Sequence, residues 1–448
     1  MTANSLTTDY LADAQRSGTP PTQLAEVAAR TVDLAATTYQ GRCLTRPVFL
    51  EHGEFARLCQ DVEQLHATLT GLPGRLFGGD LAAFARAVGT TPEQTSAILR
   101  GSSGTPTRLC RADLYREPAR FALMEVNMGG TVGGLDNALL NTAFLSQPLV
   151  ADFVAAHGLA YVDTMAALAD TIRAECGIAD GDRPLIAVAD WPQSWLDLEP
   201  QLRYSAAQLT AHGLDVVACH LGQLSVRDGH VWLDGADRPV EVIYRVFMIE
   251  DLLTPQAPEL IEPVLRAAER GEVRIFAPMD ADLYGSKGAL ALLSDEANRH
   301  LYSADELASL DRILPWTRMA RSGQVTVDGG HADLARYALE QQDDLILKPT
   351  LLHAGSGVVP GWTVDRDEWA GRLAAAMNGP FVLQRRIRPV PELFPADDGL
   401  EPWVLTWGIF LGAGGHIGTW VRGSAGHDGG VVNMATGATA TCCFHEAR

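Results

Sequence analysis

The apolar residues change their period along this chain, and that change bounds the fold more tightly than any other feature. Over residues 22–99 they recur at helical spacing, as in Leu24, Val27, Ala28, Val32 and Leu34, then Phe55, Leu58, Val62 and Leu65. Beyond Phe276 the pattern reads as short strands separated by glycine turns: 345–348, the loop 354–358, 381–384, and 404–411 opposite 417–422. Between these regions a turn-rich stretch, 101–106, precedes two strand candidates at 108–114 and 121–126, which read as a hairpin. Residues 184–189, 198–212 and 214–219 then read as strand, helix and strand, followed by strands at 231–233 and 240–247 and a helix over 258–270. The expectation is an α+β or α/β chain in four parts: a helical layer at 1–105, a hairpin segment at 106–180, an α/β unit at 181–275 and a glycine-rich strand region at 276–448.

A length of 448 residues with 47% hydrophobic content suits two or three globular domains. Lys and Arg total 35 against 55 Asp and Glu, and the resulting charge of −20 repels nucleic-acid phosphates and anionic membranes. Asp9 and Asp13 fall where a signal peptide needs a basic start and an apolar run, and no uninterrupted apolar stretch reaches the roughly 18 residues of a spanning helix. A cytoplasmic location is therefore expected, with no membrane segment and no nucleic-acid partner; a homo-oligomer is left open. The cysteines, Cys43, Cys59, Cys110, Cys176, Cys219, Cys442 and Cys443, are odd in number and include no CxxC pair, and His445 beside the last two completes no zinc pattern. They read as reduced thiols.

Among the 35 basic residues only Lys287 and Lys348 are lysines. Arginine serves as well for surface charge, so the two mark positions that need a compact ammonium on a flexible stem; chance survival is the competing reading. Lys348 ends an apolar strand just before the loop carrying Gly355 and Gly357, where an ammonium can meet nucleotide phosphates while backbone N–H groups cover them. A snorkelling strand-end lysine is the plain alternative. Lys287 lies in the Gly/Ser stretch 284–288, and no GxxxxGK[ST] motif is present. Arg111 and Asp113 are followed by Glu125 and Asn127, which share a strand face by the two-residue period. Asp113, Glu125 and Asn127 then form a candidate Mg²⁺ set of hard oxygens with Arg111 beside the phosphates, although a surface hairpin would look the same. Gln384 ends a strand, and Arg422 leaves one into a glycine loop, either to hold a phosphoryl or carboxylate oxygen or as a surface arginine.

In this order, RxD, ExN, lysine, Lys-Pro with a glycine loop, glutamine and arginine, the chain resembles the synthetase domain of the glutathionylspermidine synthases over residues 108–433. The resemblance implies an ATP-grasp fold with an inserted pre-ATP-grasp-like α/β unit, and a carboxylate-amine ligase that uses ATP and Mg²⁺ through an acyl phosphate. It implies Arg111 at the transferring phosphate and Asp113, Glu125 and Asn127 on Mg²⁺. Lys287 and Lys348 would bind ATP phosphates, with Gln384 near adenine and Arg422 on the γ-phosphate or acyl phosphate. The segment holding Arg245 and Glu250 also resembles the family. The family's Asn-Ala-Asp-Thr-Pro-Thr is replaced at 127–134 by a glycine-rich run, the interval between the lysines is longer, and no amidase domain is present. The acid and amine, both small molecules, are therefore not carried over. A small-molecule kinase and a non-catalytic nucleotide-binding regulator are the alternative functions.

Overall fold

The computed structural model describes residues 4–31, 42–102, 104–130, 132–352, 355–426, 432, 434 and 437–447. Of the residues singled out above, Val32, Leu34, Ala354 and the 131 position of the glycine-rich run lie outside the described residues.

The largest sheet has eight strands. Its main path runs Val48–Leu50, Thr439–Glu446, Gly415–Ala425, Gly399–Gly412, Cys110–Arg116 and Phe121–Met128. Glu392–Ala396 pairs with Gly399–Gly412, and Leu159–Ala160 with Thr439–Glu446. The expected hairpin is present, with Asp113 opposite Glu125 and Arg111 opposite Asn127. Against this sheet packs the helix His52–Phe77, which buries Leu58, Val62, Leu65, Leu69 and Leu72 on one stripe and ends on Gly78 at φ 59°. The helical reading of 22–99 misses the strand Val48–Leu50, which pairs in parallel with Thr439–Glu446. Three residues are too few to show a period, and only the distant partner defines them.

A second sheet holds the parallel strands Asp215–His220, Leu185–Asp190, Val240–Arg245 and Arg274–Phe276 side by side, with the helix Pro192–Ala211 connecting the first pair. Strand Leu224–Arg227, absent from the sequence reading, adds an antiparallel ribbon with His230–Leu233. The single helix expected over 258–270 is two, Ala257–Leu260 and Glu262–Glu269, because Pro263 has no N–H for the preceding turn.

The third sheet orders Thr317–Met319, Phe381–Arg385, Leu345–Pro349 and Val359–Pro360, with Trp369 fully buried in the small core beneath. Beyond Phe276 the chain is richer in helix than the strand-and-turn reading: Ala281–Gly285, Lys287–Ser294, Ala304–Ile313, Leu334–Glu340 and Arg366–Ala376 all lie there.

Among the described residues no single helix is long and apolar enough to cross a membrane. The apolar pair Ala138–Leu145 and Pro148–Ala156 bends by 104° and buries Leu140, Phe144, Val150 and Phe153. The seven cysteines are free, and burial pushes Cys442 and Cys443 well above the usual thiol range, which leaves them unreactive.

Candidate active site

Asp113 is the centre of the site on the large sheet. Arg111 grips it with two hydrogen bonds, Nε to Oδ1 at 2.8 Å and Nη2 to Oδ2 at 2.9 Å. Arg422 Nη2 donates to Asp113 Oδ2 at 2.9 Å, and Asn127 Nδ2 donates to the same oxygen at 3.1 Å. Burial pushes the Asp113 carboxyl up, but Arg111 and Arg422 outweigh it and hold the group down at about 2. Gly408 makes room for this cluster: a Cβ there would stand 2.8 Å from Arg111 Cδ and 3.1 Å from Asp113 Oδ1. Both guanidiniums lie over the Trp420 ring, Arg422 at 4.4 Å and Arg111 at 4.9 Å.

Arg422 does not leave its strand as the sequence suggested. It sits within Gly415–Ala425 and is 7% exposed, which removes the surface-arginine alternative. Its Nη1 is buried without a hydrogen-bond partner among the described residues.

Lys287 opens the helix Lys287–Ser294, capped by Ser286, whose hydroxyl accepts from Gly288 N at 3.1 Å; the segment read as a Gly/Ser turn is therefore a helix start. The Lys287 ammonium lies 3.0 Å from Glu125 Oε2 and 3.3 Å from Leu352 O. Lys348, on Leu345–Pro349, donates to Gln384 Oε1 at 2.7 Å and Met124 O at 3.2 Å. It is buried, not snorkelling, and burial brings its ammonium down to about 8, with Glu125 opposing the fall and Lys287 adding to it. Burial raises Glu125, but Lys287 and Lys348 together override burial and the nearby Asp113, and its carboxyl stays below the usual range.

A cavity of about 240 Å³ opens between the large and the four-stranded sheets, lined by Glu125, Lys287, Lys348, Gly355, Gln384 and Arg422. Ile346, Trp362 and Ile387 supply an apolar wall. Arg111, Asp113, Asn127 and Gly357 do not line it; the first three are joined to Arg422 through the Asp113 carboxylate. Gly355 and Gly357 take φ of 79° and 70°, and a Cβ on Gly357 would lie 2.8 Å from Pro349 Cγ. Arg245 is spent on structure, bonded to the carbonyls of Ala277, Phe247 and Pro278 and paired with Asp282 at 3.1 Å. Glu250 does not line the cavity. Thr317, Trp420 and Trp362 escaped the sequence reading because each reaches the site only through long-range pairing or packing.

Lys287, Lys348, Arg111 and Arg422 face Asp113 and Glu125, so buried cations outnumber carboxylates four to two in a chain of net charge −20. Among the described residues no three His, Cys, Asp or Glu side chains form a metal cage. The hairpin places Asp113, Glu125 and Asn127 on facing strand positions, but both Asp113 oxygens are held by Arg111, Arg422 and Asn127, so of the three only Glu125 offers a hard oxygen to the cavity.

No protein-family model and no curated protein matches this chain. Solved structures do. A glutathione synthetase-like effector from Globodera pallida, in its apo form, is 12% identical over 90% of each chain at a TM-score of 0.54. A putative gamma-glutamylcysteine synthetase from Methylobacillus flagellatus is 12% identical over 87% of each chain, with a TM-score of 0.44. D-alanyl-alanine synthetase A from Vibrio cholerae is 12% identical over 51% of this chain and 68% of that one, at 0.26. At such identities the likeness is one of fold alone: this mixed α/β chain shares its overall fold with the glutathione synthetase-like effector.

Proposed function

We propose that the chain is an Mg-ATP-dependent ligase that joins a small-molecule carboxylate to an amine through an acyl phosphate. The observation that carries the reading is the surplus of buried positive charge in the cleft of an otherwise acidic protein. Burying unpaired cations costs stability, and a polyanionic ligand offsets that cost. Lys287 and Lys348 approach from a helix start and a separate strand, as hands on two sides of a triphosphate, with the Gly355–Gly357 backbone near them. Arg422 offers its unpartnered Nη1 to a phosphoryl oxygen, and Arg111 supports it through Asp113. Glu125, the carboxylate that lines the cavity, would supply a hard oxygen to the Mg²⁺ of Mg-ATP, which would neutralise phosphate charge beside the lysines.

A carboxylate oxygen of the acid attacks the γ-phosphorus and ADP departs; the amine then attacks the acyl carbon, phosphate departs and the amine loses a proton. Neither step requires a protein nucleophile. Charge neutralisation and positioning carry both, and the cleft is built of groups that supply these. The test is ADP release from ATP with pools of carboxylic acids and amines, with hydroxylamine replacing the amine to trap an acyl hydroxamate. ADP without amide or hydroxamate identifies a kinase instead. ATP binding without any turnover identifies a nucleotide-binding regulator.

A further inference from the structure

We propose that Gln384 and Thr317 are positioning residues for Lys348: the Thr317 hydroxyl fixes the Gln384 amide so that its carbonyl aims the lysine ammonium at phosphate, and Gln384 does not read the nucleotide base. This rests on the nucleotide reading of the cleft given above.

The argument begins with the partners of Lys348. Both are neutral carbonyl oxygens, Gln384 Oε1 at 2.7 Å and Met124 O at 3.2 Å. An ammonium has three donors, so one remains for the cavity that Lys348 lines. The two ends of a glutamine amide have nearly the same shape, and only hydrogen bonding decides which faces the lysine. Thr317 makes that decision. Its hydroxyl donates to Pro315 O at 2.9 Å, which commits its proton, so towards Gln384 Nε2 at 3.3 Å it can only accept. The NH₂ end is thereby held on Thr317 and the carbonyl end on Lys348.

The geometry is fixed by pairing, not by chance contact. Gln384 is flanked by Thr317 on one neighbouring strand and Ile346 on the other. Thr317 is 0% and Gln384 2% exposed, so water cannot stand in for either bond. A flipped amide would turn N–H groups towards an ammonium already disfavoured by burial, and Lys348 would either swing away or lose its proton. Both ends of the Gln384 amide are engaged within the protein, and the second N–H and second lone pair belong to a side chain only 2% exposed, which gives the edge of a purine little access to them.

Inorganic tripolyphosphate, which has no base, separates the two roles. Its affinity, with those of ATP and GTP, is measured by calorimetry for wild type, Thr317→Val, Thr317→Ser and Gln384→Glu, with circular dichroism as the check on folding. Thr317→Val should weaken all three ligands about tenfold and equally, while Thr317→Ser, which keeps the hydroxyl, should stay near wild type. Gln384→Glu should pair with Lys348, weaken tripolyphosphate and leave the ATP-to-GTP ratio unchanged; this variant decides the matter if Thr317→Val does not fold. Unchanged tripolyphosphate binding beside an altered ATP-to-GTP ratio overturns the inference and returns Gln384 to the base. A wild-type protein that binds neither ATP nor tripolyphosphate overturns the nucleotide reading itself, and this inference with it.

Discussion

The two walls of the cleft hold their cations in opposite ways. On the large sheet Arg111 and Arg422 share the buried Asp113 carboxylate, so each cation has an anionic partner within the wall. On the four-stranded sheet Lys348 leans on neutral carbonyls, and its charge stays unbalanced until something anionic arrives. The first arrangement ties function to stability, because losing the anion strands two buried guanidiniums. The second separates them, since removing the lysine leaves no buried charge without a partner, while its third donor is free for a ligand under the proposed function.

The largest effect follows from breaking the first wall. Asp113→Asn should destabilise the protein by about 3–5 kcal/mol in urea unfolding, besides impairing activity, because Arg111 and Arg422 lose the buried carboxylate they share. Unchanged stability would show that the two walls do not differ. Lys348→Met probes the other wall: nucleotide affinity or turnover should fall about a hundredfold, while stability stays within about 1 kcal/mol of wild type. A loss of stability matching that of Asp113→Asn would collapse the contrast.

Arg422→Lys sharpens the comparison by keeping charge and discarding the planar fork that spans Asp113 and the cleft. We expect kcat to fall about tenfold with KM for ATP little changed, and unfolding to require about 1–2 kcal/mol less. A raised KM with normal kcat would make Arg422 a ground-state binding group only. The last effect lies outside both walls. Asp190 is 2% exposed, its Oδ2 has no hydrogen-bond partner among the described residues, and burial raises its carboxyl to about 6, with Trp191 N lowering it and Asp251 raising it. A raised native pKa contributes stability below the unfolded value near 4 that is lost as pH rises through 6. Relative to wild type, Asp190→Asn should therefore gain up to about 2 kcal/mol between pH 4 and pH 8, read from urea unfolding at both ends. A pH-independent difference would mean that Asp190 ionises normally.

Legibility followed the range of each interaction. The hairpin was readable because Asp113 and Glu125 meet across a short turn, where local spacing sets the register. Lys348 was readable because its strand is locally apolar and its loop locally glycine-rich. Arg422 was misplaced for a physical reason: Gly423 looks like a turn, but it lies within the strand, where a Cβ would stand 2.7 Å from Leu405 Cδ2. Its glycine marks close packing across strands, which sequence cannot distinguish from a bend. Lys287 was misread because Ser286 serves turns and helix caps equally well. Thr317 could not be found at all, since nothing near it in sequence announces that it pairs with Gln384.

The parallel pairing of Val48 with Cys443 has a consequence for synthesis. At roughly 5–20 residues per second, the strand Val48–Leu50 waits on the order of tens of seconds for its neighbour to emerge. During that time an apolar strand edge stands open, a hazard for association with other nascent chains. The strand carrying Arg422 also emerges long after Arg111 and Asp113, so the charge cluster completes only 309 residues after Asp113 is made. The helix against the large sheet is thus old when the charge cluster beside it is new.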